Sequence, residues 1–422
     1  MSVTAMVVVT ASIFVWGTLS GRLERADLTA PIVFMGLGAL LAGLGLVDAA
    51  EAPESLRALV EVTLVWVLFA DAARVPVREL AADIGQYARL LGIGLPLTIL
   101  AGWGLAAWFF PGLGLALALL VGATLAPTDA ALGVPVVTNP VVPSRIRRLI
   151  TVESGLNDGI VTPVVLLAIA AAATAEGLAD APGLGEALAE LAIGGLVGAA
   201  VGAGGGWLLQ RARSAGWAGE DFAGIAVLAL ALLAYAAARG LHGNGFIAAF
   251  CGGVAFGAAA GRRGRAELVF LEQASGLVSL LVWLAFGAVA VPLVLERADL
   301  MTVLYAVLSL TAVRMLPVAV ATARAGLDWE TVLFVGWFGP RGLASLVFAL
   351  LALEELGAGA DDAVVVVAVT VVLSVLAHGA TSGPLAERYG RALAARGPER
   401  GGGVADLPVR GLPRPAGDSR GR

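Results

Sequence analysis

A short polar run near the middle of the chain could bind a cation and exchange a proton. The run E-S-G-L-N-D begins at Glu153 and lies in an otherwise apolar stretch. In a helix, Ser154 and Asp158 are four residues apart and share one face, so a hydroxyl and a carboxylate point the same way. These hard oxygen donors suit alkali or alkaline-earth cations. A buried carboxylate can also take up a proton, so a proton and a cation would compete for Asp158.

Two further polar sequences follow prolines inside apolar stretches. One contains Pro127, Thr128 and Asp129, and the other contains Pro340 and Arg341. A proline removes one backbone hydrogen bond of a helix and blocks another, so it frees backbone carbonyl groups. Inside a membrane, such groups are tolerated only where they are buried in protein or line a cavity. If the first break lies beside the E-S-G-L-N-D helix, the Asp129 carboxylate and the Thr128 carbonyl would complete an oxygen site.

The composition identifies the environment of these residues. The chain has 422 residues, of which 59% are hydrophobic and 14% are charged, with a net charge of −5. Soluble domains carry about 25% charged residues, and disordered chains are poor in apolar ones, so both classes are excluded. No charged residue occurs between Leu90 and Thr128, which leaves room for two membrane spans. We therefore predict an all-α polytopic membrane protein.

Splitting the apolar runs at Gly, Pro and charged clusters gives thirteen candidate spans. They begin near Val3, Thr29, Leu59, Leu90, Leu113, Leu149, Ala187, Phe222, Asn244, Leu268, Leu300, Thr331 and Ala363. Pro127 lies in the fifth span and Pro340 in the twelfth, as expected for duplicated halves of opposite topology around the seventh. Interrupted spans in corresponding positions of two halves indicate a transporter site. We predict two inverted six-helix repeats, with broken helices 5 and 12 crossing near the bilayer centre.

The arginines predict the orientation of the chain. Fourteen of them fall in the connections after odd-numbered spans and three in the opposite connections. Because positive charge accumulates on the cytoplasmic side, the N-terminus is expected outside and the C-terminus in the cytoplasm. We expect a multi-pass protein of the cell (inner) membrane, with a transmembrane domain over residues 1–384. Residues 385–422 are rich in Gly, Pro and Arg and are expected to form a disordered cytoplasmic tail.

Seven charged residues fall inside the predicted spans. They are Glu61, Asp71, Asp129, Glu153, Asp158, Arg314 and Arg341. Each costs about 2.5–3.5 kcal/mol at mid-bilayer on insertion scales, so each requires a functional or structural reason. Arg314 needs an anion, and Glu153 is the natural partner. That pair would pin two helices together without touching a substrate.

Four motifs resemble those of the NhaP/NHE-type monovalent cation/proton antiporters. They are A-P-T-D-A at 126–130, E-S-G-L-N-D-G at 153–159, V-R-M-L-P at 313–317 and G-W-F-G-P-R-G-L-A-S at 336–345. The resemblance covers essentially the whole membrane portion. It implies thirteen helices in two inverted repeats, a homodimer, and movement of a core domain against a dimerisation domain. It also implies a transporter with no enzymatic activity, no cofactor and no nucleic-acid partner.

The resemblance also implies roles for individual residues. Asp158 would bind the cation and the proton, and Asp129 and Ser154 would add side-chain oxygens. Thr128 would contribute its main-chain carbonyl, and Asn157 would shape the site. The Asn-Asp pair is similar to that of members that exchange one proton for one sodium or potassium ion without moving net charge.

Five other charged residues receive supporting roles or none. By the same resemblance, Glu153 would pair with Arg314, and Arg341 would balance the partial charges at the ends of broken helix 12. Asp71 would serve as an acid on the access path. We assign no role to Glu61.

Two other functions are compatible with these residues. An intramembrane aspartyl protease could share a proton between Asp129 and Asp158 and activate water. The chain, however, has no Pro-Ala-Leu element, and proteolysis would leave the paired breaks unexplained. A passive cation channel would instead show a flux that follows voltage and needs no proton gradient.

Overall fold

The computed structural model describes residues 3–23, 28–46, 53–75, 84–137, 139–178 and 184–394, and over these residues it is helical with no strands. We number the helices α1 to α13 and divide the two broken ones into halves. They are α1 (Val3–Leu23), α2 (Ala30–Gly43), α3 (Pro53–Arg74), α4 (Ile84–Phe109), α5a (Gly114–Thr124), α5b (Val134–Val137), α6 (Ser144–Ala175), α7 (Leu184–Ser214), α8 (Glu220–Gly240), α9 (Gly245–Ala259), α10 (Gly261–Arg297), α11 (Leu300–Thr322), α12a (Trp329–Trp337), α12b (Leu343–Leu356) and α13 (Asp361–Ala394).

The helices have the length and composition of membrane spans. Within the described ranges, eight helical stretches are long and apolar enough to cross a membrane, and three shorter apolar helices lie between them. Large apolar side chains point away from the protein, including Phe14, Leu196 and Trp207. Outward-facing apolar groups of this size are stable in lipid and unfavourable in water. The prediction of an all-α polytopic membrane protein with about thirteen helices is confirmed.

Small residues bring part of the bundle into close contact. A β-carbon at Gly198 or Gly202 of α7 would overlap the backbone of Ala248 or Gly252 of α9. In the same way, Gly38 of α2 lies directly against the backbone of α10. Helices in lipid gain much of their association energy from such close backbone packing. The glycines therefore hold α7 tightly against α9 and α2 tightly against α10.

The two interrupted helices meet within the bundle. The α-helix of α5 stops over residues 125–133, and that of α12 stops over residues 338–342. The backbone N–H of Asp129 donates to the carbonyl oxygen of Pro340 across 2.8 Å, so the two breaks touch. Backbone groups that lose their helical partners thus find partners in the opposite break. The predicted pair of broken helices is confirmed.

The last helix extends beyond its predicted end. We expected the polar tail to begin at residue 385, but α13 continues to Ala394. The ring of Tyr389 stacks on Phe334 of α12a at a centroid distance of 4.0 Å, and its hydroxyl lies 2.7 Å from the Thr331 hydroxyl. This packing helps to keep residues 385–394 helical, and the boundary between the membrane domain and the tail stays a prediction. The rest of the predicted tail, residues 395–422, lies outside the described residues.

Candidate functional site

Three buried polar side chains join the break in α5 to α6. The Thr128 and Ser154 hydroxyl oxygens are 2.9 Å apart, and the amide nitrogen of Asn157 donates to the Thr128 oxygen across 2.8 Å. Ser154 and Asn157 are three residues apart, so they lie on neighbouring turns of one face of α6. The structure therefore brings these three predicted site residues, Thr128, Ser154 and Asn157, together, and we call them the Thr128 network. The contacts are made by the Thr128 side chain, whereas the prediction named its main-chain carbonyl.

Asp158 follows Asn157 and is 8% exposed. The turns on either side of it are pressed against two other helices. A β-carbon at Gly159 would overlap the ring of Phe250 in α9, and one at Gly155 would lie 3.4 Å from the carbonyl oxygen of Asp71 in α3. Because glycine leaves no side chain in either contact, α3 and α9 can approach the segment that carries Asp158 closely.

Asp129 holds the start of α12b. Its carboxylate Oδ2 accepts a hydrogen bond from the backbone N–H of Leu343, the first residue of that half-helix, across 3.1 Å. A β-carbon at Gly342 would overlap the Asp129 carboxylate, so only glycine leaves room for this contact. A negative charge at a helix N-terminus is favourable because the first N–H groups have no intrahelical acceptor. The prediction named Asp129 as a cation ligand and did not foresee this contact.

Glu153 and Arg314 form a buried ion pair. The Arg314 Nη2 lies 2.7 Å from Glu153 Oε1, and both side chains are almost completely buried. The pair also lies against the break in α12, because a β-carbon at Gly339 would be 2.6 Å from Arg314 Nε and 3.0 Å from Thr128 Cγ2. The structure thus brings the two predicted partners together and places them beside the Thr128 network.

Arg341 lies in the break of α12 and is fully buried. Its guanidinium donates to the carbonyl oxygens of Gly339 (2.8 Å) and Ser309 (3.4 Å). Its backbone N–H donates to the hydroxyl of Ser374 in α13 across 2.7 Å. The guanidinium therefore bonds one carbonyl group in the break of α12, just after the end of α12a, where partial negative charge accumulates, and one carbonyl group of α11. This is the position that the resemblance implied.

Asp71 belongs to a row of three charged side chains that joins α3 to α10. It lies 3.5 Å from Arg74, whose Nε is 2.6 Å from the Glu272 carboxylate. Glu272 was missed by the sequence argument, because its partner is 198 residues away and shares no motif with it. The backbone carbonyl of Asp71 lies against Gly155, on the turn before Asp158, whereas its carboxylate faces Arg74. The role of Asp71 as an acid on the access path stays a prediction.

Glu61 lies elsewhere, in a cavity of about 600 Å³. The hydroxyl of Tyr235 donates to its carboxylate across 3.3 Å, and the Arg239 guanidinium lies 5.9 Å from the centroid of the Tyr235 ring. Residues of α6 from the half that follows Asp158, including Ile169, line the same cavity. The structure therefore separates Glu61 from the Thr128 network.

The atoms that the site offers as cation ligands are oxygens. In the part of the chain that the structure describes, no group of three His, Cys, Asp or Glu side chains converges on a metal position. A cation at the site would thus depend on hydroxyl, amide and carbonyl oxygens together with the carboxylates of Asp158 and Asp129. That donor set favours a weakly held alkali ion over a tightly held transition metal.

Two discontinuous helices that meet beside an intramembrane carboxylate define a class of proteins, the secondary transporters with a site at paired helix breaks. The chain belongs to the sodium/hydrogen exchanger family. The family described as "Sodium/hydrogen exchanger, transmembrane" matches residues 8–388. This membership gives no support to the protease and channel alternatives.

Named relatives agree with the family. The K(+)/H(+) antiporter NhaP2 of Shewanella oneidensis is 27% identical over 305 residues, which are 69% of this chain and 50% of the relative. NhaP2 of Shewanella sp. strain ANA-3 is 27% identical over 274 residues, which are 62% of this chain and 45% of the relative. The chain therefore spans about half the length of the curated relatives it matches.

Solved structures show the same fold. The sodium proton antiporter MjNhaP1 of Methanocaldococcus jannaschii at pH 8 superposes with a TM-score of 0.70 over 89% of this chain and 99% of that chain, at 18% identity. An electron-microscopy structure of the same antiporter gives a TM-score of 0.71 over 92% of this chain and 98% of that chain. At this identity, the likeness establishes the arrangement of the helices.

Proposed function

We propose that this chain exchanges a monovalent cation, sodium or potassium, for a proton across a membrane. The proton and the cation compete for Asp158 in a site that opens to one side at a time. The observation that carries the proposal is the network of Thr128, Ser154 and Asn157, which holds the break of α5 against the turn of α6 that bears Asp158. The relatives, which are named as potassium/proton and sodium/proton antiporters, support the same activity.

The site offers oxygens that a dehydrated cation can use. The Thr128 and Ser154 hydroxyls each have lone pairs, and the amide Oδ1 of Asn157 is buried and accepts no hydrogen bond from the residues that the structure describes. Asn157 holds the Thr128 hydroxyl through its NH₂ group, so its role is to fix a ligand in place. Asp158 supplies the negative charge that a cation or a proton neutralises.

The charges around the site favour a one-for-one exchange. Glu153 is neutralised by Arg314, and Asp129 faces the N-terminus of α12b. Asn157 cannot ionise. Asp158 is then the carboxylate whose charge changes during the cycle, and one proton or one monovalent cation neutralises it equally. The loaded site carries the same charge in both directions, so we propose electroneutral transport.

Purified protein in liposomes tests the proposal. We expect the internal pH to change when sodium or potassium is added outside, and we expect Asp158→Asn to abolish this response. Asp362→Asn is the matched control, because that carboxylate lies at the start of α13 and its side chain is 82% exposed. Activity that survives in Asp158→Asn would overturn the site. Exchange driven by membrane potential alone, with balanced ions, would overturn electroneutrality.

We also propose an orientation and an assembly. The arginine distribution supports a cytoplasmic C-terminus, an external N-terminus and the inner membrane of the cell. The resemblance to the NhaP/NHE-type antiporters supports a homodimer. We retain the transmembrane domain, extended to the end of α13, followed by a polar tail. Labelling of single cysteines placed near Arg74 and near Asp361 from either side of the membrane would test the orientation.

A further inference from the structure

We propose that Ser374 and His378 of α13 are positioning residues that hold both chain ends of broken helix 12. Helix α12a ends at Trp337, and α12b starts at Leu343. Ser374 binds the chain on one side of this break and His378 binds it on the other. The inference rests on the proposed antiport for its functional readout, and its structural readout is independent of transport.

The two contacts are direct and buried. The Ser374 hydroxyl oxygen accepts the backbone N–H of Arg341 across 2.7 Å. The His378 Nε2 lies 2.9 Å from the carbonyl oxygen of Trp337. Ser374 and His378 are four residues apart and therefore share one face of α13. Their side chains are at most 1% exposed, so water does not compete for these backbone groups.

We call the contacts of Ser374 and His378 with the two sides of the break the clamp. The ring of Trp337 adds to it. It stacks on the His378 ring at a centroid distance of 5.0 Å and an interplanar angle of 22°. Its indole N–H donates to the Thr381 hydroxyl on the next turn of α13 across 3.1 Å. Both the backbone and the side chain at the end of α12a are thus bound to one face of α13.

His378 lies between two backbone carbonyl groups. Its Nε2 is 2.9 Å from the Trp337 carbonyl oxygen, and its Nδ1 is 2.9 Å from the Ser374 carbonyl oxygen and 3.3 Å from the Ser374 hydroxyl. The same hydroxyl accepts from the backbone N–H of Arg341. The bond to Trp337 requires a proton on Nε2, because a carbonyl oxygen can only accept. The charged groups that act on His378 are the guanidinium groups of Arg341 and Arg314.

The clamp lies close to the transport site although it contains none of the proposed cation ligands. Between its two attachment points lies Gly339, which packs against Arg314 and Thr128. A displacement of residues 338–342 would therefore move the Arg341 guanidinium and disturb the Thr128 network. An apolar side chain at position 378 could fill the same volume, but it would leave the Trp337 carbonyl without this partner. The clamp therefore explains why positions 374 and 378 carry polar side chains.

Hydrogen–deuterium exchange of the 422-residue chain gives the first test. We expect Ser374→Ala and His378→Leu to speed exchange of the amides of residues 338–343 by about tenfold or more, as the loss of a buried hydrogen bond requires. Thr370→Ala is the matched control, because Thr370 is buried one turn earlier on α13 and bonds the Val366 carbonyl of its own helix. If the first two variants exchange like Thr370→Ala, the inference is wrong.

Transport in liposomes gives the second test. Glutamine can donate an N–H from about the position of Nε2 but does not titrate. We expect His378→Gln to retain most of the maximal rate with an unchanged pH profile, and His378→Leu to lose about tenfold or more. A shifted pH profile in His378→Gln would show that the ring titrates during transport and would overturn a purely positioning role for His378. If the wild type does not exchange cations for protons, the proposed function is wrong. The hydrogen–deuterium exchange experiment would still decide this inference.

Discussion

The backbone N–H of Asp129 donates to the carbonyl oxygen of Pro340 across 2.8 Å, and this bond joins the two broken helices. The carboxylate of the same aspartate accepts the N–H of Leu343. Groups that a continuous helix would satisfy internally are here satisfied between two halves of the chain. In a membrane, unpaired backbone groups cost several kcal/mol each, so the two breaks stabilise each other.

Gly342→Ala should damage this junction. The added β-carbon would overlap the Asp129 carboxylate, so either the carboxylate or the start of α12b must move. We expect a destabilisation of about 1–3 kcal/mol, as for overpacking in a core, together with loss of transport. Thermal unfolding in detergent and exchange in liposomes measure the two effects. Gly104→Ala is the control, because a β-carbon there meets no atom within 4 Å. Equal behaviour of the two variants would contradict the prediction.

Glu153→Gln should lower the stability of the protein. Its direct effect on cation binding should be small, because Glu153 is not one of the proposed cation ligands. It would leave the Arg314 guanidinium buried without its counter-charge, which costs about 3–5 kcal/mol. The double variant Glu153→Gln with Arg314→Gln should recover much of this loss, because no uncompensated charge remains. Unfolding midpoints of the single and double variants give the comparison.

A surface pair provides the control for this ion pair. Arg297 lies 3.4 Å from Asp361, but its side chain is 47% exposed. Arg297→Gln should therefore cost at most about 1 kcal/mol. If Glu153→Gln costs no more than Arg297→Gln, the buried pair does not stabilise the junction of α6 and α11.

Ser154→Ala should weaken cation binding while leaving the fold intact. It removes a hydroxyl oxygen that contacts Thr128 and that we propose as a cation ligand. The loss of about 1 kcal/mol corresponds to a rise in the apparent KM for the cation of about fivefold, with a smaller change in maximal rate. Thr174→Ala is the control, since that hydroxyl bonds the Ala170 carbonyl in the same helix. An unchanged KM in Ser154→Ala would remove Ser154 from the site.

The apolar pattern predicted the helices well, and its errors have a physical cause. The predicted starts at Val3 and Leu300 agree with the structure. The tenth span was expected to begin at Leu268, but α10 begins at Gly261, within an arginine-rich stretch. Hydrophobicity detects the part of a helix that lipid covers. It does not detect polar turns that continue the same backbone hydrogen bonds into water.

The candidate site was predictable where its residues are close in sequence. Ser154 and Asp158 are related by helical spacing alone. By contrast, the bond from Leu343 to Asp129 joins residues 214 apart, and the contact depends on where two irregular segments cross. No periodicity encodes such a crossing. The contact of His378 with Trp337 could not be predicted for the same reason, because the two residues lie on different helices.

The connection between α10 and α11 offers a pH-dependent prediction outside the membrane-spanning segments. Asp299 forms a reciprocal cap with Thr302: its carboxylate accepts the Thr302 N–H at 2.8 Å, and the Thr302 hydroxyl accepts the Asp299 N–H at 2.9 Å. The hydrogen bonds from Thr302 lower the pKa of the Asp299 carboxyl below its ordinary value. The stabilisation is therefore complete above the unfolded-state pKa of about 3.9 and is lost as the pH falls through the lower, folded-state pKa.

Two variants separate the effect of the capping hydrogen bond from the effect of the Asp299 charge. Asp299→Ala should lower stability by about 1 kcal/mol near neutral pH, because the first turn of α11 loses its N-cap. Asp299→Asn keeps a capping oxygen but cannot ionise, so the stability difference between it and the wild type should shrink as the pH is lowered from 7 towards 3. Thermal unfolding of the purified protein across this range measures the difference. A difference that stays constant would show that the Asp299 charge contributes nothing, because only an ionising group can make the gap depend on pH.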